Sequence, residues 1–269
     1  MRIRIVDAFT DRPFSGNPAG VLLLDSFPDD TWLQKVAAEV NLSETAFAHP
    51  LPAGGDADWA LRWFTPTTEV DMCGHATLAT AHVLHSTGTA GGTVRFATRS
   101  GVLGATAEAD GTITMDFPTS SLTPVAEPRG LAEALGAEVV AVHDTAAHIG
   151  DLVVELRDEA TVRSLTPDFA ALKSLSSRGI IATAVAERPD SGYDFVSRGF
   201  FPAVGIEEDP VTGSAHTALA PLWSARLGRE DLTGFQGGAR TGLVRTRLLG
   251  ARTLLTGRAV TVIDGDLHA

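Results

Sequence analysis

Two short stretches of this chain combine acidic, small and hydrogen-bonding residues in a way that can hold an anion and move a proton. The first is Asp71-Met72-Cys73-Gly74-His75-Ala76-Thr77, and the second is Asp209-Pro210-Val211-Thr212-Gly213-Ser214-Ala215-His216. In each, a glycine opens a run of helical periodicity. A helix start carries N–H groups with no partner inside the helix, and a glycine there lets a ligand approach the backbone. Read alone, either glycine is an ordinary helix entry; the repeated pair points to ligand binding. Asp209 can cap neighbouring N–H groups or orient a substrate. His75 and His216 can be packed core histidines, and a helix start favours the neutral imidazole at His75. Cys73 can be a buried thiol or a thiolate base at a helix start. Glu44, in Asn41-Leu42-Ser43-Glu44-Thr45-Ala46-Phe47, sits among small and apolar residues. There it is a solvated side chain or, if turned inward, a desolvated carboxyl group with a raised pKa that can take and return a proton.

The two stretches belong to a longer repeat. Arg62-Trp63-Phe64-Thr65-Pro66, followed by Glu69 and Asp71, precedes the first helix start. Arg198-Gly199-Phe200-Phe201-Pro202, followed by Glu207, Glu208 and Asp209, precedes the second. Such a duplication implies two similar halves, with a binding site expected at the seam between them.

Strand patterns occur at residues 2–9, 19–24, 59–64, 93–97, 102–108 and 111–117, with Asp110-Gly111 as a hairpin turn. The second half repeats them at 138–143, 151–156, 179–186, 193–198, 240–249 and 253–263. Helical periodicity covers 29–40, 75–87, 128–135, 167–175 and 214–227. The segments at 75–87 and 214–227 are apolar on most sides, so they belong inside a core. This predicts an α+β fold of two pseudo-symmetric halves, each a mostly antiparallel sheet around a central apolar helix. The stretch Pro118–Pro124 reads as the linker between them.

Composition narrows the function. The chain has 269 residues, 44% of them hydrophobic, with a formal net charge of -12. Its scattered acidic surface disfavours nucleic acid. No apolar run is long enough for a membrane helix, and the strand-like start lacks the pattern of a secretory leader, so a cytoplasmic location is expected. The single cysteine, Cys73, excludes a disulfide framework and a pair of thiol bases. Metal-ligand spacings, phosphate loops and a nucleophile elbow are all missing.

Phe14-Ser15-Gly16-Asn17-Pro18-Ala19-Gly20-Val21, the Glu44 stretch and the two helix-start stretches occur in order. Together they resemble the successive motifs of the phenazine biosynthesis PhzF-like family. The resemblance implies the diaminopimelate epimerase-like fold, with barrel-like sheets around each central helix. It implies one half over residues 1–118, rejoined by 260–269, and another over 119–259. It also implies a homodimer that needs no metal or organic cofactor and takes a small anionic substrate.

The activity implied is isomerisation. A glutamate removes a proton from one carbon of a hydroxyanthranilate-like substrate, and the proton returns at another carbon. By motif, that glutamate is Glu44, assisted by His75 and Asp209. Gly74, Gly213, Ser214, Asn17 and Cys73 would contact the substrate. Related racemases use a cysteine before each helix, but Thr212 stands at the second place. A one-thiol epimerase based on Cys73 and a non-catalytic binding protein are the alternatives. The stretch 235–242 departs from the family's usual pattern, which puts contacts from that loop in doubt.

Overall fold

The computed structural model describes residues 1–145 and 149–269. The elements run β1 (Arg2–Ala8), β2 (Asn17–Leu23), α1 (Asp30–Val40), β3 (Glu44–Pro50), β4 (Trp59–Phe64), β5 (Glu69–Val70), α2 (Gly74–Ser86), β6 (Thr93–Thr98), β7 (Gly101–Ala107) and β8 (Ile113–Pro118). They continue with β9 (Thr123–Val125), α3 (Leu131–Leu135), β10 (Val139–Asp144), β11 (Asp151–Leu156), α4 (Glu159–Ser164), α5 (Phe169–Leu172), β12 (Gly179–Val185) and β13 (Phe195–Phe201). After a 3-10 turn at Pro202–Val204 come β14 (Ile206–Asp209), α6 (Gly213–Leu227), β15 (Asp231–Gly237), β16 (Thr241–Leu249), β17 (Arg252–Gly257) and β18 (Ala259–Asp266). Mixed sheet with few helices makes this an α+β protein. The chain divides into two compact units, Met1–Asp116 with Thr256–Ala269, and Phe117–Leu255.

In the first unit, β2 runs antiparallel to β1 and parallel to β3. The parallel step needs a crossover, which α1 supplies. Asp29 caps that helix by accepting from the Trp32 N–H, and Asn41 ends it in the left-handed region at φ 52°. The chain then turns directly into β3, so Glu44 is the first residue of a strand beside Ala19 of β2. β4 pairs antiparallel with β3 and β5, and parallel with β6, which returns antiparallel along β7. β18 completes the unit against β1.

The pairing order recurs in the second unit. β11 lies antiparallel to β10 and parallel to β12; β13 pairs antiparallel with β12 and β14, and parallel with β15; β16 returns along β15. The repeated arginine and acidic turn make the same contact in both units. Arg62 grips Glu69 through Nε and Nη2, each at 2.7 Å. Arg198 grips Glu208 the same way at 2.7 and 2.8 Å. A planar guanidinium matches a carboxylate through two parallel bonds, so each pair fixes its short acidic strand across its neighbour.

In each unit one largely buried helix packs against several strands. α2 meets β1, β2, β3, β7 and β18, while α6 meets β11, β15 and β16. Both helices are buried along most of their length. Their threonines are tolerated because the hydroxyls turn back on the helix: Thr77 donates to the Cys73 carbonyl at 2.6 Å, and Thr80 to that of Ala76 at 2.7 Å. Pro221 lies inside α6 and offers no N–H to the carbonyl of Thr217. The backbone N–H of Ser120 takes that carbonyl instead, at 3.1 Å, and the two hydroxyls meet at 2.6 Å.

Several sequence expectations change. The run 253–263 is two strands, broken at Arg258, and the expected helix at 167–175 contracts to α5 at Phe169–Leu172. The expected helix at 128–135 begins only at Leu131. Its entry is a turn at Gly130, whose φ of 88° is left-handed. The expected linker contributes β9, which pairs with β10. Segments β5, β14 and α4 are too short for periodicity to show. β15 carries two glycines that hide its alternation.

Candidate active site

In the first unit, three elements converge. A tight turn at residues 9–16 delivers Asn17 to the start of β2. Phe9, Phe14 and Gly16 all take left-handed backbone there, at φ 62°, 65° and 64°. The buried Asp7 carboxylate holds the turn by accepting the Phe14 N–H at 2.7 Å. Gly16 has no substitute, since a Cβ would lie 2.1 Å from the Ala8 carbonyl oxygen. β3 delivers Glu44 alongside, and the entry of α2 brings Cys73, Gly74 and His75.

His75 is the hub. Its Nε2 lies 3.3 Å from Glu44 Oε2. That separation is within ion-pair range, but Nε2 makes no aligned hydrogen bond among the described residues. On the other edge of the ring, Asn17 Nδ2 lies 3.2 Å from Nδ1, and Cys73 Sγ lies 3.5 Å from it. Asn17 is completely buried, His75 is 4% exposed and the Glu44 side chain is 13% exposed. Glu44 is therefore not a solvated surface carboxylate. Burial pushes the His75 pKa down to about 3, so the imidazole is neutral at ordinary pH. Cys73 stands at the cap position of α2 in extended backbone and makes no side-chain cap. Glu44, Cys73 and His75 each offer a metal-ligand atom, all within 4.8 Å of one another. An amide N–H beside Nδ1 competes with metal ligation at that nitrogen.

In the second unit, Asp209 ends β14 and Thr212 caps α6, also without a side-chain cap bond. Thr212 donates its hydroxyl to Asp209 Oδ2 at 2.5 Å. Gln236 fixes this turn from β15: its Oε1 accepts the Thr212 N–H at 2.9 Å, and its Nε2 donates to Thr212 Oγ1 at 3.0 Å and to the Asp209 carbonyl at 3.1 Å. The stretch around Gln236 is thus a strand with a structural hold on the second helix entry. Its departure from the expected motif concealed that role. Gly213 is the first residue of α6, as Gly74 is of α2. Ser214 Oγ accepts from Arg178 at 2.8 Å, and Arg178 in turn grips the buried Asp151 at 2.6 Å. Sequence reading gave no sign of Arg178, because nothing local links it to the helix start. His216 is fully buried, donates from Nδ1 to the Thr212 carbonyl at 2.9 Å, and packs on Phe195, a core role. Burial lowers its pKa to about 4.

The profile of the PhzC-PhzF family, described as phenazine biosynthesis-like proteins, matches residues 6–265. An uncharacterized isomerase of Pseudomonas aeruginosa is 51% identical over 264 residues, covering 98% of this chain and 97% of that one. A phenazine biosynthesis-like domain-containing protein of Bos taurus is 40% identical, covering 99% of each chain. The crystal structure of a PhzF family protein from Enterococcus faecalis superposes with a TM-score of 0.91 at 39% identity, covering 100% of this chain and 99% of that one. A protein from Agrobacterium radiobacter described as a probable proline racemase, at 12% identity and a TM-score of 0.66, shares the fold. The protein is an isomerase-type enzyme on the fold used by epimerases and racemases. It belongs to the PhzC-PhzF, phenazine biosynthesis-like family.

Proposed function

We propose that this protein is a cofactor-independent isomerase that moves a proton on a small carboxylated substrate, a cyclic amino acid or a hydroxyanthranilate-like ring. Glu44 is the proton carrier. Its carboxylate takes a proton from one carbon, the electron pair of that C–H bond enters the neighbouring π system, and the proton is delivered to another carbon. His75 and Asp209 position the substrate and assist proton movement. Cys73 and Thr212 make no cap bond at the entries of α2 and α6, and a helix start is suited to an anionic group. The observation that carries the reading is the largely buried Glu44 carboxylate 3.3 Å from the imidazole of His75. A largely buried carboxylate set beside a neutral imidazole suits acid–base work.

The test is incubation with candidate cyclic amino acids and hydroxyanthranilate analogues in D2O, with deuterium uptake read by mass. Wild type should incorporate deuterium and Glu44→Gln should not. Uptake that persists in Glu44→Gln removes the assignment.

A second reading, one-thiol epimerisation, is favoured by Cys73 lying 3.5 Å from His75 Nδ1. It requires that Cys73→Ser lose activity while Glu44→Gln retains it.

A further inference from the structure

We infer that Asn17 is a positioning residue that locks His75 in the neutral form protonated on Nε2, so that a fixed N–H donor stands beside Glu44 and the thiol of Cys73 is left unactivated. The inference deepens the isomerase reading and rests on it for the catalytic consequence, but the tautomer itself stands on geometry.

Two independent contacts give the same answer. At Nδ1, the Asn17 amide nitrogen approaches to 3.2 Å. An amide nitrogen is only a donor, so Nδ1 must be the bare, accepting nitrogen. At Nε2, the neighbour is a carboxylate oxygen at 3.3 Å. A bare Nε2 would set its lone pair against that oxygen, whereas Nε2–H presents its hydrogen to the same region. The thiol of Cys73, 3.5 Å from Nδ1, falls into line as a weak S–H donor to the same lone pair. The opposite arrangement, Nδ1–H with a Cys73 thiolate, would point the imidazole hydrogen at the Asn17 amide hydrogens. Asn17 thus decides between the two candidate bases before any substrate arrives.

The catalytic meaning follows from Nε2. It is buried on a residue 4% exposed, and among the described residues it has no aligned hydrogen-bond partner. An unsatisfied buried donor is costly, and one next to a proton carrier suits an electrophilic role. When Glu44 takes the C–H proton, charge develops on an oxygen conjugated to that carbon, and Nε2–H donates to it. A neutral imidazole does this without giving up its proton, so the donor stays in place for the return step.

The experiment uses the intact chain with 15N-labelled histidine. His75 resonances are identified by their loss in His75→Asn. The expected spectrum shows hydrogen on Nε2, a bare Nδ1, and no change between about pH 5 and pH 8. Hydrogen on Nδ1, or an imidazolium, overturns the inference. Asn17→Asp keeps the shape but offers a carboxylate to Nδ1, so it should transfer the hydrogen to Nδ1. It should lower kcat about tenfold or more with a smaller change in KM. An unchanged tautomer with unchanged kcat in that variant also overturns it.

Cys73 is the sole cysteine, so thiolate absorbance in the far ultraviolet reports on it alone. Wild type should show none at neutral pH, and a thiolate there would contradict the assignment. If Glu44→Gln retained activity, the isomerase reading would fail while the His75 spectrum still stood.

Discussion

Glu44 and His75 approach each other at 3.3 Å between Oε2 and Nε2, with both side chains largely withdrawn from water. They come from different elements, one opening a strand and the other a helix. Neither would be held in this way by its own local structure.

Glu44→Gln keeps size and shape but cannot accept a proton at ordinary pH. Turnover should fall by about 10²–10⁴-fold, the usual worth of a positioned acid–base group. The thermal or denaturant midpoint should change little, because the exchanged group is nearly isosteric. Steady-state kinetics alongside an unfolding curve checks both halves of this expectation.

Stability should weaken in acid. His75 and His216 have native pKa values of about 3 and about 4, against an ordinary value near 6.5. Between those values the unfolded chain binds protons that the native chain refuses, so stability is full above about pH 6.5 and falls as pH drops. The loss is about 2 kcal/mol per histidine at about pH 5. Asp151 opposes this, since burial raises its native pKa to about 6, and its contribution grows as pH falls from about 6 towards 4. Urea midpoints measured across this range should show a shallower acid limb in His216→Gln than in wild type.

Arg198 should be far less replaceable than its charge suggests. It makes two bonds to Glu208, donates to the Leu165 carbonyl at 2.7 Å, and lies over the Phe200 ring. Lysine offers one compact charge and cannot reproduce the fork. Arg198→Lys should cost about 1–3 kcal/mol in urea unfolding.

Gln236 is completely buried and bridges β15 to the turn before α6. Gln236→Leu fills the space but leaves the Thr212 N–H without its acceptor. Stability should drop by about 1–3 kcal/mol. If Asp209 helps position substrate, kcat/KM should fall as well, read in the deuterium-uptake assay.

Much of the candidate site's local structure was legible as motif. Gly74 and Gly213 do open the two helices, and the apolar character of 75–87 and 214–227 correctly placed both in the core, because a buried helix needs no polar face. The repeated arginine and acidic turn could be seen as a repeat, but the bidentate grip in each unit could not. Local pattern left Glu44 either solvated or turned inward, and only the ordered motifs marked it as the proton carrier. Its burial depends on the parallel pairing of β2 with β3, a contact between segments separated by a helix. Arg178 and Gln236 gave no signal, since each reaches a helix entry from a remote strand or loop.

The sequence by itself determined the family, the two helix starts and the residue types available for proton transfer. These follow from local pattern and ordered motifs. Tertiary structure decided which side chains meet. Packing of β2, β3 and the α2 entry buries His75 and removes its charge. It also sets Asn17 on one edge of the ring and Glu44 on the other. Protonation state and hydrogen-bond direction depend on desolvation and on atoms brought from distant parts of the chain, and no local pattern encodes either.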